Sequence, residues 1–262
     1  MRILFVGDVV GRPGRDAVEG LLGHLREEQE IDLCIANGEN VADGVGITPR
    51  LAERLLAAGA DAITLGNHTW RRIEIAGYLH DAPRVVRPAN LSATAPGRGL
   101  AFVEARNGTT VAVLNLLGSL FLEPAQSMWE LVDALVEEAR RATPVVIVDV
   151  HAEATSEKIA LARWLDGRVT AVLGTHTHVQ TADARIQPGG TAALTDVGMT
   201  GPHDSVIGVE ADLAIGRMRT GMPVRFETAS GGVRLEGALV TCDPVSGHAT
   251  AIEPVRVPWP PL

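Results

Sequence analysis

Apolar residues fall into short runs along the chain, and run after run gives way to glycine and then a polar side chain. Ile3–Gly7 is continuous rather than alternating, the mark of a strand buried on both faces. Val18, Leu21, Leu22 and Leu25 then recur at helical spacing and predict a helix over Arg15–Gln29. Leu33–Ala36 reads as the next strand. Thr48 and Pro49 supply a cap and a first-turn proline for a helix through Ala58. Strands over Ala62–Leu65 and Val111–Leu116 follow. Ser127–Glu130 has the form of a capping box opening a helix to about Arg140. Val145–Val150 is a strand, Ser156–Leu165 a helix stopped by Gly167, and Val169–Leu173 and Ala192–Leu194 are strands.

The pattern changes towards the C-terminus. Pro223–Thr228, Val233–Thr241 and Ala249–Val257 are strand-like and separated by the turn-rich segments 230–232 and 243–247, which predicts an antiparallel meander on the same core. Strands alternating with helices, then a β-rich end, predict an α/β fold in layers, with sheet covered by helices. No linker divides the chain, so 1–262 is expected to be one domain.

Composition narrows the function. No apolar stretch reaches the roughly 18–20 residues of a membrane span, and Met1–Ile3 leads directly into a strand rather than a signal peptide. Cys34 and Cys242 sit inside apolar runs, as two buried thiols of a cytoplasmic protein would. A net charge of −9 argues against gripping double-stranded nucleic acid, and 3% aromatic residues leave no platform for stacking single strands. Bound metal ions could still reverse the sign locally for an anionic substrate. No pattern specifies an oligomeric state, and a homo-oligomer is left open.

The chemistry lies where the strands end. The first ends in Gly7-Asp8, the second in Asn37-Gly38-Glu39-Asn40, and the third in Gly66-Asn67-His68; later strands end in Asp149-Val150-His151 and in Gly174-Thr175-His176-Thr177-His178. In open α/β sheets the ligand crevice lies outside the carboxyl ends of strands, so these residues converge on one edge. Oxygen and imidazole donors together suit manganese, iron or zinc better than calcium or magnesium, and without thiolates a structural zinc site is disfavoured. Seven donors are too many for one ion. They fit two ions about 3.5–4 Å apart sharing a carboxylate.

In this order and context the residues resemble the calcineurin-like metallophosphoesterases: an early Asp8, a bridging acid at Glu39, Gly66-Asn67-His68, a lone His151, and a histidine pair at His176 and His178. Three features depart from that pattern. Asp8-Val9-Val10 stands where the pattern has Asp-x-His and so lacks that histidine, the bridging acid is Glu rather than Asp, and Thr69 stands where an acid would orient His68. The departures match the YmdB-like branch, to which 2′,3′-cyclic nucleotide phosphodiesterase activity is ascribed. The resemblance extends to Thr195–Gly201 and implies a metallophosphoesterase-type β-sandwich flanked by helices, with the β-rich C-terminal segment in the same domain. It also implies that Asp8, Asn40 and His178 hold one ion and Asn67, His151 and His176 the other, with Glu39 shared. Asn40 would make up for the missing histidine. Its amide oxygen favours iron or manganese, with zinc next.

The expected reaction is hydrolysis of a small phosphodiester or nucleotide by a metal-bridging hydroxide, with His68 as the general acid protonating the leaving oxygen. Arg12, Arg15, Arg71, Arg72 and Lys158 are candidate phosphate contacts. His203 is a candidate to approach the site from a late loop, and Asp196, at another strand end, a candidate to support the ligands or to cap a helix, whereas His24, His80 and His248 are assigned to surface or core. Two other readings use similar residues. An amidohydrolase-like enzyme would place its His-x-His after the first strand, whereas here it comes late. A regulatory protein that binds metal and nucleotide with little turnover would need the same ligands.

Overall fold

The computed structural model describes residues 1–260. In chain order its elements are β1 (Arg2–Val6), β2 (Asp8–Val9), α1 (Gly11–Glu28), β3 (Leu33–Asn37), α2 (Pro49–Ala57), β4 (Ala62–Thr64), α3 (Ile75–Asp81), β5 (Val85–Val86), β6 (Leu100–Glu104), β7 (Thr110–Leu117), α4 (Met128–Ala142), β8 (Val146–His151), α5 (Thr155–Trp164), β9 (Ala171–Thr175), β10 (Arg185–Ile186), β11 (Ala192–Leu194), β12 (Met199–Pro202), α6 (Ala211–Thr220), β13 (Val233–Cys242) and β14 (Ala249–Pro258). One sheet runs β2-β12-β13-β1-β3-β4-β5, with β14 on β13; the other runs β10-β11-β9-β8-β7-β6.

The two sheets pack face to face, and helices cover their outer faces. Alternation along each strand decides which layer a side chain enters. Ile3 and Phe5 of β1 and Leu33 and Ile35 of β3 meet Val111, Val113, Ile147, Ala171 and Leu173 of the other sheet. Leu4, Val6, Cys34 and Ala36 point the other way, onto α1 and α2. Val146, Val148 and Val150 of β8 likewise face α4 and α5. Both faces of these strands are apolar, so mid-strand residues alone tolerate a slip in register. The polar strand ends do not, because a one-residue slip would turn them to the wrong layer.

The predicted central strands and four of the helices are present, with shifted ends. α1 starts at Gly11, ahead of the predicted Arg15, because Pro13 is acceptable in a first turn. Thr48 caps α2, accepting from Leu51 N at 3.3 Å. Ser127 caps α4 through Trp129 N at 3.4 Å rather than as a reciprocal box with Glu130. The predicted strand at Pro223–Thr228 is a correction. Gly221, in the left-handed region at φ +70°, ends α6 and releases an extended exposed segment, which is held by an isolated bridge from Thr228 to Val209, a hydrogen bond from Glu210 N to Glu227 O and the Arg217 guanidinium over the Phe226 ring rather than by a strand ladder. The expected three-stranded meander is therefore the β13–β14 hairpin. Among the described residues no helix is long and apolar enough to cross a membrane.

Cys34 and Cys242 are both buried and free. Burial pushes the Cys242 thiol up to about 11 and the Cys34 thiol higher still. A thiol reacts as thiolate, which forms only as the pH approaches those values. Native protein at pH 8 is therefore expected to leave both cysteines unmodified by an aromatic disulfide reagent, with both reacting after denaturation. Rapid labelling of native protein would contradict the burial.

Candidate active site

The same alternation that builds the inter-sheet core places polar side chains at its end. Asn37 follows Ile35, Asp149 and His151 follow Ile147, and Thr175 follows Leu173, so each leaves its strand facing the opposite sheet. Asn37 Nδ2 donates across that gap to Asp149 Oδ2 at 3.1 Å. Thr175 Oγ1 donates to Asp149 Oδ1 at 2.7 Å and lies 2.9 Å from His151 Nδ1, which fixes the His151 ring with Nε2 outward.

Glu39, fully buried, stands at the centre. Its Oε1 lies 3.2 Å from His151 Nε2 and 3.2 Å from His68 Nδ1, and accepts from Asn40 Nδ2 at 3.1 Å. Oε2 accepts from His68 N at 3.0 Å. On one side of Glu39, His151 Nε2 is 3.0 Å from Asn67 Oδ1 and 3.1 Å from His176 Nδ1. On the other side, Asp8 Oδ1 is 3.6 Å from His178 Nε2 and 3.5 Å from Asn40 Nδ2, which is 3.3 Å from His178 Nε2. All eight residues singled out at strand ends thus meet, as two groups flanking one carboxylate.

The electrostatics favour positive charge. Burial works against ionisation of Glu39, yet His151 and His68 hold its carboxyl well below the usual range. Asp8 is likewise lowered: burial opposes its charge and His178 outweighs it. Burial also disfavours charge on His178, but Asp8 raises it to about 9. His176 is pushed down to about 4, by burial first and by His151 second. Burial lifts Asp149 to about 6. Carboxylates gathered with imidazoles in a buried pocket stabilise a cation as they stabilise a proton.

The donors fit a metal centre. Glu39, His151 and His176 each offer an atom within 4.8 Å of the others, and the whole set is oxygen and imidazole. Gly66 leaves the room: a Cβ there would collide with Glu39 Oε2 and His151 Nε2. Asn40 turns its NH2 towards Asp8, Glu39 and His178 and its Oδ1 towards His68 Nδ1, 2.8 Å away. To offer its oxygen to a cation, the amide must make a half-turn that hands the NH2 to His68.

The histidine pair sits on unusual backbone. His176 and His178 both lie in the left-handed region, at φ +92° and +62°. For non-glycine residues this costs roughly 1–3 kcal/mol each and persists only where the surroundings over-determine it. Here they do. His176 N donates to Asp8 Oδ2 at 3.1 Å, Thr177 N donates to Asp196 Oδ2 at 3.1 Å, and His178 Nδ1 donates to Ile207 O at 3.0 Å. Buried Lys158 locks the arrangement, its Nζ 2.9 Å from both Asp196 Oδ2 and Thr177 Oγ1.

Several expectations are corrected by these contacts. Lys158 is not a phosphate contact, because its ammonium is consumed by Asp196 and Thr177. Arg15 is buried and spent on Val41 O, Arg12 pairs with Asp16, and Arg72 donates to Ala42 O and Val45 O. His203 Nε2 donates to Met199 O at 3.0 Å rather than joining the cluster. Asp196 does reach the site's edge, as the anchor of Thr177. His68, left without an acid at position 69, is held instead by Asn40 and Glu39. Glu153 is not marked out by the sequence, and Asp149 and Thr175 stand there only as neighbours of the histidines at strand ends, with no role assigned. Only the strand alternation of Asp149 with His151 offered a signal.

A family model described as YmdB-like protein matches residues 4–255. The chain is 48% identical over 257 residues to a 2′,3′-cyclic-nucleotide 2′-phosphodiesterase of Bacillus subtilis (strain 168), covering 98% of this chain and 97% of that protein. Among solved structures, a hypothetical protein from Thermus thermophilus superposes with a TM-score of 0.93 at 42% identity, over 99% of this chain and 100% of that one. A phosphatase from Mycoplasma pneumoniae does so with a TM-score of 0.91 at 35% identity, over 98% and 93%.

Proposed function

Because the chain belongs to the YmdB-like family, we propose that it is a metal-dependent phosphoric diester hydrolase acting on 2′,3′-cyclic nucleotides. The observation that carries this reading is the position of buried Glu39 between two groups of donors. In it, Asp8, Asn40 and His178 hold one ion, Asn67, His151 and His176 hold the other, and Glu39 serves both. Iron or manganese suits the set best. When bound, the ions supply Lewis acidity towards the phosphate and activate the attacking water.

The chain's own residues do the rest. A cyclic phosphodiester carries one negative charge, so the lack of a free arginine among the described residues of the inner cluster is no obstacle. His68 is about a quarter exposed, at the opening of the cluster. Its Nδ1 is engaged inward, so Nε2 is the atom left to protonate the departing ribose oxygen. The free, buried thiols fit a cytoplasmic setting.

The test is an assay of full-length protein supplied with manganese or iron against 2′,3′-cyclic nucleotides, a chromogenic phosphodiester and a phosphomonoester. Hydrolysis is expected for the diesters, with the monoester the poorest substrate. No hydrolysis of any of them by metal-loaded protein would overturn the reading in favour of a binding protein.

A further inference from the structure

We propose that Glu153 is a positioning residue that fixes the ring of His176, so that Nδ1 and not Nε2 faces Glu39 and His151. Glu153 lies just past the end of β8, two residues beyond His151, with its side chain about half exposed at the rim. Its Oε2 is 3.0 Å from His176 Nε2, while His176 Nδ1 is 3.1 Å from His151 Nε2. The ring therefore spans from the rim to the inner cluster, with one nitrogen committed at each end.

A neutral imidazole has one N–H and one lone pair, and the partner at one nitrogen decides which it carries. A carboxylate can only accept, so Glu153 selects N–H at Nε2 and leaves the lone pair on Nδ1, pointing inward. The inner group on that side of Glu39 is otherwise neutral, made of Asn67, His151 and His176. A carboxylate behind one of its rings raises that ring's basicity and holds its angle. His151 receives matching support from Thr175 and, through it, Asp149. Each inward imidazole of this group thus has an oxygen behind it. Losing such a partner typically weakens metal affinity by about 10–100-fold.

This inference rests on the two-ion reading above, and its test separates the two. Full-length wild type, Glu153→Ala and Glu153→Gln are stripped with a chelator, titrated with manganese, and followed by calorimetry and by metal content after desalting. Wild type is expected to take up two ions. Glu153→Ala should bind one ion as wild type does and the other about 10–100-fold more weakly. Glu153→Gln should fall between them, because its amide oxygen still accepts from Nε2–H without the charge. Saturating manganese should restore kcat of Glu153→Ala to within a few-fold of wild type. If wild type binds fewer than two ions, the two-ion reading fails. If wild type binds two and Glu153→Ala matches it, the positioning role fails. If Glu153→Ala binds both normally yet kcat stays low at saturation, Glu153 acts on substrate, and the positioning role is overturned.

Discussion

Replacing Glu39 by glutamine is expected to drop metal content from two ions to at most one per chain and to reduce phosphodiester hydrolysis to background. Glutamine keeps the size of the side chain and an oxygen able to accept from His68 N, so the fold should hold, and unchanged circular dichroism would verify it. What disappears is the charge. Asp8 lies with His178 and Asn40, whereas the carboxylate in direct contact with the His151 ring beside Asn67 and His176 is Glu39. That neutral group should empty first. Two bound cations contribute several kcal/mol of charge stabilisation to the reaction, and at about 1.4 kcal/mol per tenfold this corresponds to a loss of roughly 10³-fold or more. Full occupancy by both ions in Glu39→Gln, measured by elemental analysis, would contradict the shared-carboxylate model.

His68→Ala is expected to behave in the opposite way: both ions stay and turnover goes. The backbone N–H that donates to Glu39 survives the substitution, and the imidazole lies beside the two groups rather than inside either. Loss of a general acid typically costs about 10²–10⁴-fold. The size of that loss should depend on the leaving group. A ribose oxygen needs its proton, whereas a nitrophenolate departs without one. Cyclic nucleotide hydrolysis should therefore suffer far more than hydrolysis of a nitrophenyl diester. Equal losses on both substrates would remove His68 from the acid role. Loss of metal would make it a ligand.

What could be read from the sequence, and what could not, follows from the range of the interactions. Buried strands such as β1, β3 and β8 announce themselves through unbroken apolar runs, and their polar ends gave all eight residues of the cluster. α6 escaped because only Ala214 of its ten residues is buried, so it carries no apolar stripe. The segment 223–228 misled for the converse reason. Val224 and Phe226 alternate with polar residues as a half-buried strand would, yet both are exposed. The supporting roles were invisible for a different reason. Glu153 and Lys158 flank the start of α5 with ordinary polar spacing, and their partners, His176 and the Thr177–Asp196 pair, lie 19 or more positions away. Nothing local distinguishes a charge that braces a strained turn from one that faces solvent.

The brace at Lys158 also shapes what the protein's exterior offers to chemistry. It is the single lysine of the sequence, and its ammonium is almost wholly enclosed by Asp196 and Thr177. All other fixed side-chain cations are guanidinium groups. Acylating and crosslinking reagents that seek primary amines therefore find no side chain on the surface, and enzymes that mark lysines find no acceptor there. A fluorophore or tether introduced by an added lysine would stand at the one surface side chain able to take it.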